Sequence, residues 1–306
     1  MLESDLVKTD QKARRGKRAQ GSADDLYNRL VDTWNKFVHT RGGKSALDLM
    51  EKRLKPQVSQ FIKALKSDRG VMEKVLFGEE PEMYLPHHNV NVAALAVKVA
   101  LGMSYSDDEL KRLALAALMH DVGMLDMPTQ IWTKKKALSP AEVGVIKKHP
   151  LVGYDLLKPI DEVAKVVLQE HERMNGTGYP QGLSERDIHE FAYIIGIADI
   201  YNSLTHIRPY REKRYSSLEA IQEIIKKEKP KFPTTVLKSL IAHFLFPVGT
   251  RVELNRGEKA EVVEENRTTP MRPVVKITHD KNDRAYDEPK IVDLDRDQTF
   301  FIIRSL

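Results

Sequence analysis

The spacing of apolar residues near the start of the chain predicts helices. In "DDLYNRLVDTWNKFV" (24–38) and "LDLMEKRLKPQVSQFIKALK" (47–66), apolar side chains return every three or four positions, which places them on one face of an amphipathic helix. Pro56 cannot donate a backbone hydrogen bond, so we expect a break or kink there. Residues 23–83 are therefore predicted to form an N-terminal helical region.

Residues 84–246 continue the helical pattern with more apolar segments. Ser106 precedes one of these segments and is followed by acidic residues, an arrangement typical of a helix N-terminus. Ser139 and Pro140 open another in the same way. The predicted helices contain "HNVNVAALAVKVALGM", "SDDELKRLALAALMH", "SPAEVGVIKKH", "DEVAKVVLQEH", "IHEFAYIIGIADIYNSLTH", "SLEAIQEIIKKE" and "TTVLKSLIAHFLF".

The pattern changes after residue 246. Short segments rich in Val and Ile follow one another, separated by turn-forming stretches such as "NRGEK" and "DKNDRAYDEP". Such segments are typical of strands joined by turns. Residues 247–306 are therefore predicted to form a small antiparallel β domain, built from "TRVEL", "AEVVEE", "PVVKITH", "KIVDL" and "FFIIRS".

Composition excludes several classes of protein. Apolar residues make up 41% of the 306 residues and charged residues 30%, a balance typical of globular proteins. No apolar run approaches the roughly 20 residues of a membrane-spanning helix, and residues 1–20 lack the apolar core of a secretory signal. We therefore expect a cytoplasmic protein without a membrane span. Cysteine is absent, so nitrogen and oxygen donors would have to hold any metal.

The net charge of +5 does not by itself predict a nucleic-acid partner. Residues 1–20 hold six basic and three acidic residues, so they contribute +3 of the total, and we expect residues 1–22 to form a disordered basic tail. The β domain offers Tyr286, Phe300 and Phe301 without an ordered basic-aromatic motif. We therefore expect this domain to dock on the helices and no nucleic-acid polymer to bind.

Several predicted helices end in a histidine. His120 and Asp121 follow "LALAALM", His149 precedes a proline, and His171 follows "VVLQE". Asp199 lies within the apolar segment "FAYIIGIADIYNSL", where an unpaired buried carboxylate would cost several kcal/mol. A single histidine is more often a surface or core residue than a ligand. Together, however, these residues predict helix ends that converge on one centre.

The motifs resemble those of an HD-GYP domain, a branch of the HD phosphohydrolases. Their order and spacing agree with that family, and Gly178-Tyr179-Pro180 is the tripeptide that gives the branch its name. The matching pieces are "HNVNV" (88–92), "LMHDVGMLDMP" (118–128), "KHPLVGYDLL" (148–157), "EHERMNGTGYPQGL" (170–183) and "ADIYNSLTHIRPYR" (198–211). The resemblance implies a mainly α fold, with an HD-type helical bundle over residues 84–246 between the N-terminal helices and the β domain.

The resemblance also implies a centre of two divalent transition metals. Iron or manganese is favoured, and nickel or zinc also suits a set of imidazoles and carboxylates. Asp121 would bridge the two metals, and His120 and Asp121 would form the catalytic core. The implied ligands are His88, His120, Asp121, His149, His171 and Asp199.

The chain departs from the family at two positions that bear on metal number. Glu170 replaces the first histidine of the family's "HHE", and it fits either a ligand or a hydrogen-bond acceptor beside the ligands. Tyr84 stands where some members have a glutamate that holds a third metal. Because tyrosine is a poor substitute, two metals are expected.

Other departures concern the substrate. Met124 replaces a lysine that meets a substrate phosphate in the family, and Asn175 and Asn202 each replace an aspartate. The substrate contacts that the resemblance still implies are Tyr179, Arg208, Arg211 and Asn202.

The sequence therefore predicts a metal-dependent phosphodiesterase. Its expected substrate is a cyclic dinucleotide, with cyclic di-GMP favoured, and its expected nucleophile is a metal-bridging hydroxide. Two alternatives stay open: a metal-containing cyclic dinucleotide sensor or scaffold with little catalysis, and a phosphohydrolase that acts on another nucleotide. A homodimer through the N-terminal helices is a further expectation.

Overall fold

The computed structural model describes residues 25–39, 46–67, 70–78, 84–207 and 214–306. The expected tail of residues 1–22 lies outside these ranges, as do Arg208 and Arg211. The N-terminal region is helical, as predicted. It comprises α1 (25–39), α2 (Ala46–Asp48), a π-helical segment (Leu49–Leu54), α3 (Lys55–Ser67) and α4 (Gly70–Phe77).

The apolar faces of the N-terminal helices are buried within the monomer. Leu30 and Trp34 of α1 and Phe61 of α3 have no exposed surface. α3 packs against α5 and α6 of the central bundle. These faces are therefore already covered, and a dimer is not needed to bury them.

The irregularity expected at Pro56 lies just before it. The π-helical segment ends at Leu54, and Pro56 is the second residue of α3. The chain is already helical before Pro56, and the Lys55 N–H donates to Met50 O in the wider winding of the π-helical segment that leads into this residue without an N–H. The helix therefore changes its winding ahead of the proline and does not break at it.

A bundle of helices follows, with α5 and α11 at its centre. Both helices are buried on most of their surface and pack against each other, and α6 lies beside α5. Across the described ranges, no helix combines the length and hydropathy needed to cross a bilayer. The helices are α5 (Tyr84–Gly102), α6 (Asp107–Met119), α7 (Thr129–Trp132), α8 (Pro140–Ile146), α9 (His149–Leu157), α10 (Asp161–Gln169), α11 (Glu190–Thr205), α12 (Ser217–Glu228) and α13 (Thr234–Phe244).

Side-chain caps set the starts of the two helices that precede the histidine motifs. At α6, Ser106 Oγ accepts from the Glu109 N–H, and the Glu109 carboxylate accepts from the Ser106 N–H at 2.8 Å. Ser139 and Glu142 form the same reciprocal cap at α8. Each cap satisfies N–H groups that the helix itself cannot. The caps thereby help to fix where these helices begin.

The C-terminal residues form one antiparallel sheet with strand order β4-β3-β2-β1-β5. Val252, Val262 and Val275 are buried on its inner face, and β5 contacts α12. The fold class predicted from the sequence, mainly α with a small antiparallel β domain, is confirmed. The strands are β1 (Arg251–Leu254), β2 (Lys259–Glu264), β3 (Val274–His279), β4 (Ala285–Asp293) and β5 (Ile302–Ser305).

Candidate metal centre

Five helices and the turns that follow two of them meet at one buried cluster. α5 carries His88, His120 follows the last residue of α6, α9 begins with His149, Glu170 follows the last residue of α10, and α11 carries Asp199. The side chains form two groups, in each of which the donor atoms lie within 4.8 Å of one another. The groups are His88, His120 and Asp121, and His149, Glu170 and His171.

Asp121 lies between the two groups. Its Oδ2 is 3.5 Å from His88 Nε2 and 3.6 Å from His120 Nε2. Its Oδ1 faces the other group, 3.3 Å from His149 Nε2. Asp199 completes the cluster with Oδ1 at 3.2 Å from His88 Nε2. All six residues that the resemblance implies as ligands are thus brought together.

Two glycines allow the close helix contacts that build the cluster. A Cβ added at Gly123 would lie 2.0 Å from the carbonyl oxygen of His149. A Cβ at Gly196 would lie 2.5 Å from the carbonyl oxygen of Glu170. Any larger residue would force these segments apart. The glycine of "HDVG" therefore allows the turn after Asp121 to approach the start of α9.

Backbone carbonyls orient two of the histidines. The Nδ1–H of His120 donates to Ala117 O at 2.8 Å, and that of His149 donates to Ile146 O at 2.8 Å. Each ring then turns Nε2, with its lone pair, toward the carboxylates. This tautomer is the one that a metal-binding imidazole requires.

Asn202 orients His88 through Nδ1, the ring nitrogen that does not face the carboxylates. Its amide lies 2.8 Å from His88 Nδ1, and its side chain is 1% exposed. If the amide nitrogen faces the ring, Oδ1 is left buried without a hydrogen bond, which costs about 1–3 kcal/mol. With the amide reversed, Oδ1 accepts from Nδ1–H and His88 Nε2 keeps its lone pair. Asn202 therefore contacts one of the ligands that the resemblance implies, and its role as a substrate contact stays a prediction.

His87 turns away from the cluster. Its Nδ1 lies 3.2 Å from the Tyr27 hydroxyl of α1. Tyr84, one turn before His88, stacks on the His88 ring with centroids 4.9 Å apart. The motif predicts His88, and not His87, as the ligand. His88 is also the histidine whose side chain faces the cluster.

The electrostatics of the cluster lower the pKa of the Asp121 carboxyl and raise the pKa of two imidazoles. Burial opposes protonation of His149, but Glu170 and Asp121 outweigh it and raise its pKa to about 9. Burial also opposes protonation of His120, yet Glu170, Asp121 and Asp199 leave its pKa raised. Burial prevails at His171 and lowers its pKa to about 4. The net charge of the cluster therefore changes with the protonation of these imidazoles and with any cation bound among them.

The donor set fits divalent metal ions. Two donors about 2.0–2.2 Å from one ion are separated by roughly 3–3.5 Å at ordinary coordination angles. The separations between Asp121, Asp199 and the histidines, 3.2 to 3.6 Å, lie at this spacing. Glu170 Oε2 is buried without a hydrogen bond, as expected for an oxygen positioned to contact a cation.

Tyr179 lies at the edge of the cluster. Its ring stacks on His171 with centroids 4.6 Å apart, and Lys147 Nζ lies 4.9 Å from the same ring. Glu172 holds the loop that carries Tyr179, because its buried carboxylate accepts from the N–H groups of residues 181–183 at 2.6 to 3.2 Å. Sequence reasoning missed both Lys147 and Glu172. Lys147 directly precedes the "KHP" of the motif, and Glu172 directly follows His171. These positions beside motif residues were the available sequence signals.

Comparison with known families agrees with this site. Residues 67–236 match the HD domain family, and residues 251–306 match the KOW domain associated with HD domain. The first match covers more than half of the chain. The chain belongs to the HD domain family, which confirms the relationship predicted from its motifs.

Two curated relatives match about two thirds of the chain. The chain is 30% identical over 217 residues to a cyclic di-GMP phosphodiesterase of Pseudomonas aeruginosa, a match that covers 70% of this chain and 52% of the relative. It is 32% identical over 205 residues to the cyclic di-GMP phosphodiesterase PdeB of Borreliella burgdorferi, covering 66% and 54%. The chain thus spans about half the length of these relatives.

A solved structure shares the fold. Bd1817, an HDG"Y"P protein from Bdellovibrio bacteriovorus, superposes with a TM-score of 0.61 at 22% identity. The match covers 72% of this chain and 71% of Bd1817. At this identity the likeness concerns the arrangement of the helices.

The contact between Asn202 and His88 leads to a first prediction. Asn202→Leu removes the acceptor that orients the ring, so we expect affinity for Mn²⁺ to fall about tenfold. Asn202→Asp restores a stronger acceptor and should raise it. Chelator competition measures both affinities, and Tyr193→Phe, which removes a hydroxyl on the same helix that donates to Glu185 O, is the control. Equal affinities for the two Asn202 variants would contradict the proposed orientation.

The raised pKa of His149 leads to a second prediction. Metal-free protein holds a proton on His149 at pH 7, because its pKa is about 9 against an ordinary 6.5. This protonation stabilises the metal-free fold below about pH 6.5, and the contribution is lost as pH rises through 9. Metals bind neutral imidazole, so Mn²⁺ binding at pH 7 should release about one proton at this residue.

Calorimetry in buffers of different ionisation enthalpy measures that release. The number of protons released on Mn²⁺ binding should fall as the pH is raised above 9. This pH dependence serves as the internal control. No dependence on buffer at pH 7 would show that His149 is already neutral in the metal-free protein.

Proposed function

We propose that this chain is a metal-dependent phosphodiesterase that hydrolyses a cyclic dinucleotide, with cyclic di-GMP as the favoured substrate. The observation that carries the proposal is Asp121, whose two oxygens face two separate groups of donor atoms. Phosphodiester hydrolysis is a common use of two metals held about 3.5–4 Å apart. The names of the two curated relatives point to the same substrate class.

The residues that would hold the two ions are those of the cluster. His88, His120 and Asp199 would hold one ion, and His149 and His171 the other, with Asp121 shared. Iron or manganese is favoured for such a mixed set. When bound, two divalent ions would supply an activated water for attack on phosphorus and would neutralise charge on the phosphoryl oxygens.

The chain's own residues position the substrate and the ligands. Ala117 O, Ile146 O and Asn202 hold the imidazoles in the orientation that directs Nε2 into the site. Tyr179 lies half-buried at the edge of the cluster, where the resemblance implies a substrate contact, and Glu172 fixes its loop. Lys147 brings a positive charge to this edge.

A sensor or scaffold without turnover is the second candidate. Met124 is buried and carries no charge, and Asn175 accepts from Thr177 within its own turn. Both features reduce the groups available to a substrate phosphate. Under this reading the domain would bind a cyclic dinucleotide and leave it intact.

Hydrolysis is the primary test. Protein reconstituted with Mn²⁺ or Fe²⁺ should cleave cyclic di-GMP, and a panel with 3′3′-cGAMP and linear nucleotides defines the substrate. His120→Ala and Asp121→Ala should each reduce turnover by more than about 100-fold, because each removes a donor that faces the site. His279→Ala, on the β domain, is the matched control. Two bound metals without turnover on any of these nucleotides would reject the enzyme hypothesis.

Met124→Lys separates the enzyme from the sensor. A lysine at this position restores the phosphate contact implied by the family, so the KM for cyclic di-GMP should fall about tenfold. Met127→Lys, three residues later, is the control for added charge. An unchanged KM for Met124→Lys, with an unchanged melting temperature, would show that position 124 does not face the substrate. Tighter binding without product would favour the sensor.

A further inference from the structure

Glu170 and Glu172 are buried carboxylates two residues apart, with 0% and 1% of their surface exposed. Their surroundings differ. Glu172 accepts hydrogen bonds from the backbone N–H groups of Gln181, Gly182 and Leu183. Its charge is therefore compensated without a cation. Glu170 has no such set of donors.

The carboxylate of Glu170 faces histidines. Oε1 lies 3.4 Å from His149 Nε2 and 3.9 Å from His171 Nε2. Oε2 lies 3.9 Å from His120 Nε2 and has no hydrogen bond. Arg173, the nearest arginine in sequence, donates to the Glu170 backbone carbonyl. Within the described residues, the only cationic groups within 4.0 Å of this carboxylate are therefore imidazoles.

A fully buried carboxylate with an oxygen lacking a hydrogen bond is costly unless a cation meets it. The imidazoles can supply that cation only when protonated, and a protonated imidazole cannot ligate a metal. If the histidines bind metal, the positive charge that Glu170 needs must come from the metal itself.

The position of Glu170 repeats that of Asp121. Each has one oxygen toward His149 and the other toward His120. We infer that Glu170 is a second carboxylate bridge between the two metals, an inference that rests on the two-metal centre of the proposed function. It assigns the orphaned Oε2 to the ion held by His120, and Oε1 to the ion held by His149 and His171.

This bridge would set metal preference. The family has a histidine at this position, and a ring nitrogen donates one lone pair to one ion. Glu170 instead provides two oxygen donors and a negative charge. Carboxylate oxygens suit Mn²⁺ better than imidazole does, and imidazole suits Zn²⁺ and Ni²⁺. The centre should therefore favour Mn²⁺ more strongly than a histidine at position 170 would allow.

Metal binding tests the bridge without relying on activity. Glu170→Gln should weaken binding of at least one Mn²⁺ by about 10–100-fold, as measured by metal content and chelator competition. It should also change the spin-coupled signal of the manganese pair in the paramagnetic resonance spectrum, because Asp121 would be left to join the two ions. Glu170→His should keep two metals per chain but shift the Mn²⁺ to Zn²⁺ affinity ratio toward Zn²⁺ by about tenfold.

Glu172→Gln is the matched control. It removes a neighbouring buried carboxylate that does not face the histidines, so the Mn²⁺ count should stay at the wild-type value even if the melting temperature falls. Glu170→Gln that keeps wild-type affinity for both ions and their spin coupling overturns the inference. Wild-type protein that binds two metals without hydrolysis rejects the proposed enzyme and leaves the bridge standing. Wild-type protein that binds no divalent metal overturns both.

Discussion

The electrostatic cost of burying charge constrains the whole centre of this molecule. Asp121 and Glu170 lie among helices whose other side chains are largely apolar, and neither is paired with a lysine or arginine within the described ranges. Such carboxylates persist in a core only when strong positive charge offsets their desolvation. The two divalent ions of the proposed function would meet that requirement, and the imidazoles would complete their coordination.

The helical scaffold serves this constraint through close contacts. Gly123 lets the turn after Asp121 approach the start of α9, and Gly196 lets α11 approach Glu170. Carbonyls at the ends of α6 and α8 then hold the Nδ1–H groups of His120 and His149. A ligand at a helix end is rigid because both its backbone and its ring are held. Helix packing therefore fixes the positions of the side chains in the cluster.

Periodicity was enough to predict the helices and the sheet, because each segment buries a face that its spacing already reveals. The cluster residues could be named because they fall at helix ends or within an apolar helix. Other features depend on contacts between distant segments. The place of Asn202 behind His88 follows from how α11 crosses α5, and Glu172 acts on a loop about ten residues later in the chain. Neither contact produces a hydrophobic periodicity or a residue spacing that can be recognised in a single sequence.

Two departures from the family can be understood as one change in the location of charge. Asn202 stands where the family has an aspartate, so the group behind His88 has lost a negative charge. Glu170 stands where the family has a histidine, so the group that faces the donors has gained one. These two exchanges cancel in formal charge, while one carboxylate has moved from the Nδ1 side of His88 to the face of the donor cluster. A weaker hydrogen bond at His88 makes that imidazole a poorer donor, and the oxygens of Glu170 offer compensation at the adjacent histidines. Such an exchange conserves the electrostatic requirement of a two-metal centre while changing which ions suit it best.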